Sequence, residues 1–112
     1  MQKSQKKQPR KISPGYLENA ALYYLQRYAT SADNLRRVLK RKIDRSCRFH
    51  QTSPEEFYPQ AEKLIERYIS SGLLNDKGYA EARVASLRRQ GKSKQEITSR
   101  LLLKGLLRDD IE

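Results

Sequence analysis

The chain of 112 residues has no tryptophan, one cysteine, one methionine and one histidine. A lone cysteine, Cys47, cannot close an internal disulfide, which fits a reducing cytosol. Cys47 and His50 lie close in sequence, but zinc needs three or four ligands and no others stand nearby. A cysteine nucleophile would also need an orienting third group and an oxyanion donor, and neither is announced. No stretch of roughly 18 apolar residues reads as a membrane span. The first residues lack the apolar block of a secretory signal. No segment carries a convincing strand signal. Glycine-rich phosphate loops, metal clusters and nucleophile–base pairs are missing as well, so the pattern reads as that of a non-enzyme.

Acidic residues are scarce in one half only. Residues 1–50 hold 13 Lys/Arg against Glu18, Asp33 and Asp44, whereas residues 51–112 hold 11 Lys/Arg against 10 acids. Nearly all of the net charge of +11 therefore sits in the first half. Such asymmetry suggests a polyanionic partner, either nucleic acid or an acidic protein groove; a merely solubilising surface would need less charge. Residues 1–13 carry five positive charges and no acid, and read as a disordered basic tail that either touches phosphate or only solvates.

What is present is a series of capped amphipathic helices. Helical spacing predicts a first helix over 14–29 with Leu17, Ala20, Ala21, Tyr24, Leu25 and Tyr28 on its apolar side. Exposed tyrosines would stack on bases; at this spacing Tyr24 and Tyr28 read as core. Ser31 caps a second helix over 32–45 with Leu35, Val38, Leu39 and Ile43 inward. Arg36, Arg37, Lys40 and Arg41 flank that stripe at spacings where like charges repel, a cost that a partner would relieve. The segment 46–53 reads as a loop in which Cys47, Phe49 and His50 face solvent or pack in part. Ser53-Pro54-Glu55-Glu56 reads as a capping box starting a third helix that ends at Gly72, with Ile69 buried and Pro59 a potential break.

Asn75 or Asp76 caps a fourth helix over 76–90, and Ser93-Lys94-Gln95-Glu96 opens a fifth through Lys104. In the fifth, Ile97, Leu101 and at least one of Leu102 and Leu103 are expected inward. The segment Leu101–Leu103 with Leu106–Leu107 is also where apolar exposure is expected. Residues 108–112 look like the start of a sixth helix. A shift of 62 residues aligns Ala20 with Ala82, Leu25 with Leu87, Ser31 with Ser93, Leu35 with Ile97 and Leu39 with Leu101. Two copies of a three-helix unit follow, 14–74 and an incomplete 75–112.

The run Gly72-Leu73-Leu74-Asn75-Asp76-Lys77-Gly78-Tyr79-Ala80 resembles the signature of the RecX family of recombinase regulators. Arg89-Gln90-Gly91-Lys92-Ser93 and the helix stop Lys104-Gly105 resemble further family motifs, and Ala21-Leu22, Tyr24-Leu25, Arg27, Ser31 and Leu35 resemble its first repeat. The likeness covers 16–112 and is densest over 64–105. It implies an all-α fold of tandem three-helix repeats with short, right-angled helices and no sheet. It assigns structural roles to Gly72, Leu74, Asp76, Tyr79, Ala80, Gly91, Lys104 and Gly105. It implies binding in the groove of the RecA–DNA filament and modulation of the recombinase, most often its inhibition, with DNA touched through the filament and no cofactor needed; neither a membrane nor a small-molecule substrate is expected as a partner. The chain departs from the family in ending about a third short of three repeats, and in the polar loop from Arg45 to Pro59. Arg36, Arg37, Lys40 and Arg41, with Arg88, Arg89, Lys92 and Lys94 at the equivalent place in the second repeat, are the expected contacts to filament or DNA. Rival readings are a sequence-nonspecific DNA-binding module and a helical scaffold for another acidic partner; ordinary solvated faces would explain the charge runs equally well.

Overall fold

The computed structural model describes residues 8–106. All regular structure in that stretch is helical: α1 (Pro14–Arg27), α2 (Ala32–His50), a 3-10 turn (Pro54–Glu56), α3 (Tyr58–Ser71), α4 (Asp76–Arg89) and α5 (Lys94–Leu103). The expected sixth helix over 108–112, Leu107, and residues 1–7 of the basic tail lie outside the described residues.

Each helix begins where a small polar side chain satisfies an orphan backbone donor. Ser13 accepts from the Tyr16 amide at 3.1 Å, with Pro14 in the first turn. Ser31 accepts from Asn34 at 3.1 Å, Asn75 from Gly78 at 3.0 Å and Ser93 from Glu96 at 3.1 Å. The exception is α3. Ser53 makes no backbone cap and instead bonds Glu55, so the expected capping box does not form. Pro59 explains the shift. Its missing donor and fixed φ suit a first turn, and the α-helix starts at Tyr58, just ahead of it.

The largest difference from expectation is the length of α2. Leu35, Leu39, Ile43 and Cys47 recur every fourth residue and are each no more than 2% exposed. The ladder extends one rung beyond the predicted end at 45, so 46–50 is helix rather than loop and Cys47 is core rather than surface. Phe49 is half exposed, and the helix closes on Gln51 in the left-handed region, φ 58°. Ser46 donates to the Arg10 carbonyl, and His50 Nε2 donates to the Pro9 carbonyl at 2.8 Å. With Ile12 packed on the core, these bonds dock residues 8–13 on the end of α2, where a free tail was expected.

The burial of Cys47 has a chemical consequence. Its thiol should alkylate slowly in the native chain and at least about a hundredfold faster in denaturant, as expected for a thiol exposed only on unfolding. Equal rates under both conditions, followed by mass spectrometry, would return 46–50 to the surface.

Two apolar clusters result. The first joins α1, α2 and α3 around Leu17, Leu35, Leu39, Ile43 and Ile65, and also takes Leu74. The second is smaller: Ala80, Leu87, Ile97, Leu101 and Leu106, with Tyr79 and Val84 against it. Tyr58 staples the first unit by donating its hydroxyl to Asp44, which pushes the phenol pKa up to about 12. Several expected core residues lie outside both clusters. Tyr28 is 56% exposed because the chain leaves helix there, and Ile69 is 50% exposed on the outer side of α3. Leu102 and Leu103 are both exposed; α5 ends in a tight turn that turns Leu106, not them, onto Leu101.

The helix limits repeat. Pro14 and Arg27 bound α1, and Asp76 and Arg89 bound α4, each 62 residues on. The caps Ser31 and Ser93 stand in the same register.

Candidate functional site

The signature residues build the joint between the two units. Gly72 ends α3 with φ 83°, and the chain reverses to bury Leu74 in the first core. Asp76 then does two jobs. It opens α4 as an acid in the first turn, and its Oδ1 accepts from the Ala32 amide at 2.8 Å, at the start of α2. Ala80 is fully buried in the second core with Tyr79 beside it. Gly91 turns the chain from α4 to α5. Lys104 returns to the first unit, its carbonyl accepting from Ser31 Oγ at 2.6 Å. Gly105 passes so close to Asp33 that a Cβ on it would lie 2.4 Å from the Asp33 Cβ. Two apolar cores thus meet through polar contacts clustered at the N-terminus of α2, where unpaired amides and the helix dipole favour carbonyls and carboxylates.

The expected contact residues divide between this joint and the surface. Arg36 bonds Glu62 and lies 3.0 Å from Asp33. The Glu62 contact outweighs burial and holds its guanidinium above the ordinary range. Arg37 reaches Asp33 at 2.6 Å and donates to the Leu103 carbonyl at 2.9 Å. Both arginines are therefore committed within the fold, and the repulsion expected along α2 is answered by Asp33 and Glu62. Lys40 lies over the Tyr58 ring, 5.2 Å from its centroid. Lys92 stands 3.8 Å from Glu96. Arg41, Arg88, Arg89 and Lys94 are exposed and make no ion pair among the described residues. Nor do the two clusters occupy equivalent places. In the helix register, Arg36, Arg37, Lys40 and Arg41 fall opposite Thr98, Ser99, Leu102 and Leu103.

A different cluster forms at the joint. Arg37 from α2, Arg83 from α4, and Arg100 and Lys104 at the end of α5 surround an open cavity of about 340 Å³ floored by Leu101 and rimmed by Leu103. Arg83 and Arg100 drew no attention in the sequence because neither belongs to a charge run. Each is one arginine on its own helix, and only the packing brings them together. Among the described residues no three histidine, cysteine, aspartate or glutamate side chains gather as a metal site, and no helix is long and apolar enough to cross a membrane.

Comparison with known proteins adds a relationship to this geometry. The chain is 48% identical over 100 residues to the regulatory protein RecX of Myxococcus xanthus, covering 89% of this chain and 54% of that relative. It is 31% identical over 94 residues to the regulatory protein RecX of Agrobacterium fabrum, covering 84% of this chain and 50% of that one. The chain thus spans about half the length of the curated relatives it matches. No protein-family model matches it, and no solved structure does. With both alignments covering more than four fifths of it, the chain is a homologue of the regulatory proteins named RecX.

Proposed function

We propose that this chain is a non-catalytic regulator that binds the RecA–DNA filament and inhibits the recombinase. The observation that carries the proposal is the relationship to two regulatory proteins named RecX. The exposed cations Arg41, Arg88, Arg89 and Lys94, with Lys40 next to Arg41 on α2, support it, since they leave positive charge available to an acidic or phosphate-lined groove. No bond is made or broken; occupancy of the groove would hinder subunit closure or strand exchange.

The test is binding to preformed RecA filaments on single-stranded DNA, with bare DNA alongside and ATP hydrolysis followed in the same mixture. Filament-preferred binding with falling hydrolysis is expected. The charge reversals belong at Lys40 and Arg41, or at Arg88 and Arg89, because reversing Arg36 and Arg37 would test the fold instead. Lys40→Glu with Arg41→Glu should weaken filament binding about tenfold or more, on the order of 1.4 kcal/mol. Unchanged affinity would remove this face from the binding surface.

A second reading rests on the same unpaired cations: a sequence-nonspecific DNA-binding module holding phosphates. It requires tight binding to bare DNA, a steep salt dependence and no need for the recombinase.

A further inference from the structure

We infer that the basic cavity at the joint is a docking site for an acidic peptide segment of a protein partner, receiving one carboxylate side chain and an apolar side chain next to it. As an account of how the chain grips its regulatory target, this rests on the filament-binding reading; the chemistry of the cavity does not.

Three helices and the turn after α5 supply its four cations, so the cluster is a product of the packed fold and not of a local charge run. Asp33 holds Arg37 at 2.6 Å and Glu96 holds Arg100 at 3.0 Å. Arg83 and Lys104 have no acidic partner among the described residues. Two of the four positive charges thus share an acid with a neighbouring cation and two have none, around a concave surface that concentrates their field. Arg37 is already oriented by Asp33 and by the Leu103 carbonyl, so engaging a ligand costs that side chain little ordering. Arginine presents a planar fork that matches a carboxylate with two parallel bonds.

The apolar lining selects among anions. Leu103, on the rim, is 73% exposed, and Leu101 closes the floor. A phosphate group has no apolar surface with which to cover that leucine, whereas a peptide can carry an aliphatic side chain beside its carboxylate. The acids paired with two of these arginines point the same way: Asp33 and Glu96 would repel a continuous run of phosphates more than a single carboxylate. The cavity, at about 340 Å³, matches one or two side chains.

The experiment uses the full chain and three labelled probes of equal length: a peptide alternating glutamate and leucine, a glutamate–serine peptide of the same charge, and an oligothymidylate. Fluorescence anisotropy gives affinities, and amide NMR shifts locate each probe. The glutamate–leucine peptide should bind most tightly and shift residues 83 and 100–104. Arg83→Gln with Lys104→Gln should weaken it about tenfold with helix content unchanged, the size expected for removing two cations without acidic partners at a concave site. Equal binding of the peptide to that variant overturns the inference. So does tighter binding of the oligothymidylate at the same residues, which would make this a phosphate site. The filament assay separates the two claims. A chain that binds the peptide here but no filament defeats the regulator reading alone. Filament binding that survives Arg83→Gln with Lys104→Gln undiminished defeats the cavity as the grip and leaves the regulator reading standing.

Discussion

Gly105→Ala is expected to lower the melting temperature by about 10 °C or more, and Gly91→Ala by only about 4–5 °C, at roughly 4 °C per kcal/mol for a domain of this size. The two glycines have nearly the same backbone, with φ of 80° and 83°. Both close a helix with the same paired bonds: Gly105 to Leu102 and Leu106 to Leu101, Gly91 to Arg88 and Lys92 to Leu87. Alanine at either position meets the left-handed penalty, about 1 kcal/mol. They differ in what the new methyl would meet. At Gly91 nothing lies within 4 Å; at Gly105 the Asp33 Cβ and Oδ2 lie at 2.4 Å. Asp33 has little freedom to withdraw because its carboxylate holds both Arg36 and Arg37. Either the acid gives up those arginines or the end of α5 lifts off α2, and either adds about 2 kcal/mol. Equal losses at the two glycines, measured by thermal unfolding, would mean that the joint is open in solution.

Why the joint escapes a reading of sequence is a matter of range. The helices themselves were legible, because caps and fourfold apolar spacing are local properties and each is written within a dozen residues. Ser13, Ser31, Asn75 and Ser93 all cap as their positions foretell. The errors fall where two local signals compete. Ser53-Pro54-Glu55-Glu56 spells a capping box, yet Pro59 three residues on imposes its own helix start, and the proline prevails. At Cys47 the apolar ladder continues beneath a polar sequence of serine, arginines and histidine, and composition hid the spacing.

The candidate site was legible in a different measure. Charge runs mark where cations are many, not where they are unpaid, and Arg36 and Arg37 prove to be tied up by Asp33 and Glu62. Pairing between residues 26 positions apart leaves no trace in a helical pattern. Convergence of single arginines leaves even less: Arg83 and Arg100 share a cavity with Arg37 only because Ser31, Asp33 and Ala32 fasten the second unit onto the head of α2. The likeness to the family did mark Asp76, Lys104 and Gly105, the residues that do the fastening, without disclosing what each one touches.

Of these, Asp76 carries the sharpest prediction. Ala32 is the first residue of α2, so its amide has no partner within the helix, and at 7% exposure water reaches it poorly. Ser31 does not serve it, since the side chain of an N-cap residue reaches the second or third amide of its helix, and Ser31 Oγ accepts from Asn34. Asp76 supplies the missing acceptor from 44 residues away. Its carboxylate also faces the positive ends of two helix dipoles, that of α2 and that of α4. Asp76→Ala should therefore cost about 2–3 kcal/mol, combining a charge-assisted bond with an orphaned buried donor. Asp76→Asn keeps an acceptor and should cost about 1 kcal/mol. Hydrogen exchange discriminates this from a general loss of stability: in Asp76→Ala the amides at the start of α2 should lose protection while those near Cys47 keep theirs. Uniform loss along α2, or loss confined to α4, would show that Asp76 acts only as a residue of its own helix. The same variant reaches the cavity, because Arg37 stands on one side of the joint and Arg83 and Arg100 on the other. A joint that loosens at Ala32 no longer holds those arginines at one distance, so an acidic peptide that needs both walls should bind Asp76→Ala more weakly although Asp76 itself does not line the cavity.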